Sequence, residues 1–389
     1  KYAAENVRVT DGARGLVVNR DVVLAFMSRV FLFEGTWQKY HLNNSAKAAE
    51  YLEAAKWAAN EVIMSGRYSL GNYRAVFSSL DLAGNPEVIL YRQYEPGVLT
   101  HALMSYNNRE SQAGPSKDVI DTYLATDGLP ISVSSVYQGD RGIENVMANR
   151  DGRIKETFVS NQLRLQGIAS NFSTTGYATH KFLNESIKDD PTGSLNLNPT
   201  DAPIIRLGEV LVNYAEAAAE LATVGGPAVT PEDLNKSINR LRARPGVGLP
   251  ALGVEGTNPA VNGIPYDDPE RDSSVPSLIW EIRRERRVEL IFEGFRFDDL
   301  RRWKKLDYTD TRDNPNINKG AWIRKADYPN LNASVILENG TEGYIIPAPR
   351  PEVQRVFNDP KIYLYPLPQD QITLYNEQGG VELKQNPGW

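Results

Sequence analysis

The residues of this chain best suited to chemistry are aromatic rings set among amides and charges. Tyr94, Tyr106, Tyr137, Tyr177, Trp322 and Tyr328 lie in irregular, polar segments, and Asn107, Asn108, Arg109 and Asn171 lie in segments of the same kind. A flat ring covers the apolar face of a sugar, while amides and charged groups bind its hydroxyl rim, the charged partners more strongly. The six rings are therefore candidate stackers, and the four polar residues are candidate rim partners. Each ring has packing in the core as its alternative.

A second set of residues invites hydrolysis. Glu293, Asp298 and Asp299 are close in sequence, and glycoside hydrolases act through two carboxylates flanking the scissile bond. Here Arg296, Arg301 and Arg302 are interleaved with them. Neighbouring guanidinium groups hold carboxyl pKa values down, whereas a general acid needs the opposite shift. The sequence has no Gly-x-Ser-x-Gly elbow, phosphate loop or dinucleotide fingerprint. It has no cysteine, and its three histidines (His41, His101, His180) are far apart. Disulfides and thiolate sites are excluded, and a zinc site built on histidine is not expected. No catalytic residue, metal or cofactor is assigned.

Composition bounds the rest. With 389 residues, 41% hydrophobic and 24% charged, the chain reads as an ordinary globular protein. A net charge of −6 gives no pull toward nucleic acid. No run of about 18 apolar residues is present to span a membrane.

The segment from Ile279 to Trp303 interleaves arginines and carboxylates along a thin apolar seam, with Trp280 and Trp303 at its ends. Read as a helix, it sets Glu281, Glu285, Glu289 and Glu293 on one face, where they repel mildly. Arg286–Glu289 and Glu293–Arg296, three apart, give some relief. Other partners must come from other elements, Arg206 against one of these glutamates among them. A nucleic-acid face would not interleave so many acids, so an internal ion-pair network is expected. Trp57, Trp280 and Trp303 sit on helical stripes and are assigned to the core.

The elements that must position all this are helices and loops. Apolar spacing predicts a helix from Asn19 to Phe33 and a second from Ala46 to Ser65, capped by Asn44 or Ser45 and stopped by Gly66. Small residues on the second stripe (Ala48, Ala55, Ala59) allow a close approach. A further pair is predicted from Ile204 to Ala222 and from Thr230, with Pro231 at its first position, to Arg244. Between and after the pairs run long stretches, 70–115, 246–276 and 314–351. Loops of this length on a rigid scaffold are where binding residues tend to sit. The end, Tyr365-Pro-Leu-Pro368 to Trp389, reads as an extended tail anchored by its tryptophan.

Several segments resemble one family in order. They are Pro115-Ser-Lys-Asp-Val-Ile-Asp-Thr-Tyr-Leu-Ala-Thr-Asp-Gly128, Asn149-Arg-Asp-Gly-Arg153, Gly176-Tyr-Ala-Thr-His-Lys-Phe182, Asp201-Ala-Pro-Ile-Ile-Arg206 with the helix after it, and the arginine-rich segment with its C-terminal tail. Together they are similar to the SusD/RagB family of outer-membrane nutrient-binding lipoproteins. Gly152 stands where that pattern usually has proline. The resemblance implies a mostly α fold, a tetratricopeptide-like superhelix with long irregular loops and a few short strands. It implies one SusD-like domain over 1–389, with a helix pair at 1–70, an excursion at 71–200, a second pair at 201–245 and the C-terminal region at 246–389. It also implies non-catalytic capture of an oligosaccharide at the outer membrane and delivery to a SusC-like TonB-dependent barrel. An oligopeptide ligand, a glycoside hydrolase and a purely structural helical adaptor are the alternatives. The family's lipid anchor needs a leading cysteine. Lys1-Tyr-Ala-Ala-Glu5 supplies none, so the chain is expected to begin partway into the fold.

Overall fold

The structure, a computed structural model, describes residues 2–7, 15–108, 114–358, 361–380 and 382–389, except the side chains of residues 107 and 108. It is mostly α, built on antiparallel helix pairs with a few short strands. The first pair is Arg20–Tyr40 and Ser45–Met64. The Asn19 and Asn44 side chains cap them, each accepting from the backbone N–H three residues on, at 3.1 Å.

The first helix runs seven residues beyond the predicted Phe33, to Tyr40. Gly35 is a poor helix former, but here it is a contact. A β-carbon on Gly35 would lie 2.7 Å from Leu52 Cγ, so only glycine lets the helices meet there. Ala48, Ala55, Ala58 and Ala59 are fully buried along the facing stripe. The close approach expected from small residues is present, and glycine on the partner helix completes it.

A third helix, Leu207–Ala222, is buried on nearly all sides and packs against both members of the pair. It starts three residues later than predicted. Ala202–Arg206 is instead a strand, pairing antiparallel with Val88–Arg92. The following helix has the Thr230–Asp233 capping box and Pro231 at its start, but divides at Ser237 into Pro231–Lys236 and Ile238–Arg242. The main core gathers Leu24, Ala25, Val62, Val210, Leu211, Ile238, Leu241, Ile279 and Ile282 from these helices and from Ser277–Glu289.

The arginine-rich segment is two helices rather than one. Ser277–Glu289 ends in a turn with Phe292 at φ +63° and Gly294 at φ +88°, and Arg296–Arg302 follows. Glu293 therefore lies off the helix. In place of the expected Arg286–Glu289 and Glu293–Arg296 pairs, Arg286 meets Asp299 at 2.9 Å, and Glu289 and Glu293 both turn to Arg206. Trp303 is buried, with its indole N–H donating to Glu216 at 2.6 Å. Trp57 and Trp280 pack on the core while remaining partly exposed.

The tail is less extended than expected. Gln369–Gln378 is a helix, after which the chain returns so that the Trp389 indole donates to the Lys361 and Leu364 carbonyls at 3.0 and 2.8 Å. Tyr363 carries this region into a small core with Leu300, Trp303 and Leu306.

Candidate functional site

Charge in this molecule is largely enclosed. The Glu289 carboxylate, with no exposure, accepts from Arg206 at 2.6 Å, Arg244 at 2.8 Å and Arg153 at 3.0 Å. Arg206 also donates to Glu87 at 2.9 Å and Glu293 at 2.7 Å, and Arg242 bridges Glu281 and Glu285 at 3.1 Å each. Gly208 makes room for the centre, since a β-carbon there would lie 2.1 Å from the Arg206 guanidinium. Burial pushes the Glu289 carboxyl up, but Arg244, Arg206 and Arg153 outweigh it and bring it down to about 2.

The same balance governs the suspected hydrolytic acids. Burial raises Glu293 and Asp299; Arg206 and Lys181 on the first, and Arg286 and Arg302 on the second, pull each below its ordinary value. Carboxylates fixed in their charged form are poor proton donors. A cleft of about 840 Å³ opens beside them, lined by Arg29, Tyr51, Ile204, Glu209, Phe295 and Asp298 among others. Its charges are already engaged: Arg29 grips Glu209 through two bonds of 2.6 and 2.7 Å. Among the described residues no group of His, Asp and Glu is placed to hold a metal. No helix there is long and apolar enough to cross a membrane.

A different arrangement arises where two three-residue strands meet. Trp322–Arg324 pairs antiparallel with Glu342–Tyr344, with Trp322 directly opposite Tyr344. Side chains alternate along a strand. Ile323 points inward to Leu165, Val335, Leu337 and Ile345, so Trp322 and Tyr344 share the opposite, half-exposed face. Loop 137–142 lies alongside. The Tyr344 hydroxyl donates to Asp140, and Arg141 forms a parallel bridge with Trp322. Tyr137, also half-exposed, has the Arg150 guanidinium 5.3 Å from its ring centroid. Arg150 is buried and donates to the carbonyls of Ile120, Tyr123 and Val146 at 2.7 to 3.1 Å, which fixes the base of the loop.

Lys117 and Lys319 flank Tyr344, each ammonium 5.2 Å from the ring centroid. Lys117 also pairs with Asp121, and Lys319 with Glu338 at 3.0 Å. Burial raises the Tyr137 phenol to about 12, against the opposing pull of Arg150. Burial and then Asp140 raise Tyr344 as well. Both hydroxyls stay protonated at neutral pH. The face thus offers rings, phenols and held charges, a combination suited to binding a polyhydroxylated surface.

Of the candidates, Tyr137 and Trp322 both fall on this face, linked through the Asp140–Tyr344 bond and the Arg141–Trp322 bridge, and the others do not. Tyr177 is 3% exposed, in a core cluster with Tyr123 and Phe158, and has no free face for a ligand. Asn171 accepts from Arg164 at 2.7 Å, and Tyr328 packs against the Leu165–Ile323 cluster on the neighbouring loops. Tyr94 meets His101 edge-on at 4.6 Å, and Tyr106, 55% exposed, follows on the short Leu103–Asn108 helix. Among the described residues no hydrogen bond or ring contact ties these last two to Trp322. The side chains of Asn107 and Asn108, and Arg109 as a whole, lie outside the described residues. Tyr344, Asp140, Arg141, Lys117 and Lys319 were not foreseen. The only signal for Tyr344 is a three-residue alternation, too short to read as a strand.

The fold is similar to that of several solved proteins. One is a SusD-like carbohydrate binding protein from Bacteroides fragilis, 22% identical, with 96% of this chain and 67% of that one covered and a TM-score of 0.66. A second SusD-like protein from the same organism is 24% identical over 100% of this chain and 69% of its own, with a TM-score of 0.63. The surface glycan-binding protein A of Bacteroides fluxus is 17% identical over 100% of this chain and 67% of its own, with a TM-score of 0.54. At these identities the likeness is one of fold. No curated protein matches the chain. The model of the SusD family matches residues 86–389, more than half the sequence, and the chain therefore belongs to the SusD family.

Proposed function

We propose that this chain captures an oligosaccharide without transforming it, on the face built by Trp322, Tyr344 and Tyr137. The single observation that carries the reading is the half-exposed Trp322–Tyr344 cross-strand pair, fixed from behind and rimmed by Asp140, Arg141 and two lysines. Rings held by their own sheet lose little freedom on binding, so less of the interaction is spent on ordering them. Membership of the SusD family supports the reading, as do neighbours described as carbohydrate binding and as glycan-binding. Tyr94, Tyr106, Asn171 and Tyr328 are proposed as outlying contacts for a longer ligand. By the same family reading the protein sits at the outer-membrane surface through a lipid anchor and passes its cargo to a SusC-like TonB-dependent barrel.

Calorimetry against plant, host and microbial glycans, with mixed oligopeptides as a second arm, tests the proposal. The expected result is heat of binding with at least one glycan, none with peptides, and no released sugar on prolonged incubation. Binding to peptides alone, or release of sugar, defeats it.

A further inference from the structure

Resting on the glycan-capture reading, a narrower statement follows from Arg141. We infer that the oligosaccharide held at this face is acidic, with a uronate carboxylate seated on the Arg141 guanidinium. Arg141 lies over the Trp322 ring, 4.8 Å from its centroid, so one face of that ring is covered by a cation and is not open for a neutral sugar to stack on. The arginine is held in place. Its backbone is bridged to Trp322, and its carbonyl accepts from the Asn145 side chain at 2.9 Å.

The neighbouring cations are engaged. Lys117 serves Asp121 and lies 3.8 Å from Asp140, Lys319 serves Glu338, and Arg150 is used by backbone carbonyls. Arg141 is exposed, and among the described residues its guanidinium has no hydrogen-bond or ion-pair partner. Asp140, the acid beside it in sequence, is taken by the Tyr344 hydroxyl. What remains open at the face is a planar, oriented fork of N–H donors. Its matching acceptor is a carboxylate, which takes two parallel bonds, whereas a sugar hydroxyl takes one. The net charge of the whole chain is −6, so no general field draws in a polyanion; selection of an acid must be local.

The test uses oligomers of galacturonate, mannuronate and glucuronate, each beside its carboxyl-reduced neutral counterpart, titrated into the full chain and into Arg141→Ala and Arg141→Lys. At least one acidic oligomer should bind about tenfold or more tighter than its reduced form. That preference should vanish in Arg141→Ala and shrink in Arg141→Lys, which keeps the charge but not the fork. Neutral oligomers binding as tightly as acidic ones, or a preference that survives Arg141→Ala, overturns the inference and leaves glycan capture standing. No binding of any oligomer, with the wider glycan panel also silent, overturns both.

Discussion

Two regions of this molecule are built from the same residue types and come out opposite. Around Glu289, guanidinium groups and carboxylates from residues 87, 153, 206, 244 and 289 close on one another without exposure. Around Trp322, arginine, lysines, carboxylates and rings meet at the surface, and one guanidinium is left unfilled. The contrast separates two uses of charge. A buried charge that has all its partners specifies how elements dock, and it adds little stability over an apolar packing of equal volume. An exposed charge that is oriented yet unsatisfied keeps its bonding capacity for something else. Saturation, more than residue type, distinguishes scaffold from site.

The largest effect should come from breaking the closed region. Glu289→Ala leaves Arg206, Arg244 and Arg153 without their shared partner in a dry interior. Loss of one member of a buried pair typically costs about 3–5 kcal/mol, so folded yield and melting temperature should fall sharply. A variant that melts like the parent would mean this network is not what docks the C-terminal helices onto the scaffold.

Acid should next erode a second closed set, in which buried Glu220 pairs with Lys39 and with Arg283 of the Ser277–Glu289 helix. Burial pushes the Glu220 carboxyl up, but Lys39 and Arg283 more than reverse it, leaving it at about 2 against an ordinary 4.5. A carboxylate held low in the folded state adds stability that is whole above pH 4.5 and is lost as the pH falls through 2. That contribution is on the order of 3 kcal/mol. Chemical denaturation followed between pH 6 and 2 should show most of the loss below 4.5. A flat profile across that window would contradict the assignment.

How far the sequence could be read follows the same division. The first helix pair was legible because its signals are local: an apolar stripe, Asn44 as cap, Gly66 at φ +66° as stop. The role of Arg206 was legible because a face of glutamates needs cations from elsewhere. Its partner Glu87 was not, since the two lie 119 residues apart and meet only when Val88–Arg92 pairs with Ala202–Arg206. The predicted helix takes in the last residues of that strand, because Ile204 and Ile205 suit either period. At the candidate face the rings Tyr137 and Trp322 stood out by type and setting. Tyr177 stood out equally and is core, because exposure is decided by tertiary packing that no short window contains. Tyr344 and Arg141 depend on a cross-strand pair and a bridge, both beyond local pattern.

At the open region the effects should be smaller and confined to ligand. Trp322→Ala combined with Tyr344→Ala removes the ring pair while leaving Ile323 and its cluster intact. Retention in glycan affinity gels should fall about tenfold, and melting should move by no more than about 1 kcal/mol. Unchanged retention would remove this face as the site. A collapse in stability of the size expected for Glu289→Ala would erase the distinction between the regions.

The smallest effect sharpens the comparison from inside the charged segment. Among the described residues Arg296 has no hydrogen-bond or ion-pair partner, although Arg283, Arg284, Arg286, Arg287, Arg301 and Arg302 around it all have carboxylates. Its guanidinium lies 5.8 Å from the Trp303 ring centroid, a distant contact. Burial, and then the like charge of Arg287, push its guanidinium down to about 9. A half-buried charge in that position costs the folded state without specifying a contact. Arg296→Met keeps the length and apolar stem while removing the charge, so stability should be unchanged or rise by up to about 1 kcal/mol. If Arg296→Met instead destabilises as strongly as Glu289→Ala, saturation is not the property that separates the two regions, because a charge without a partner would then be holding the scaffold as firmly as one with three.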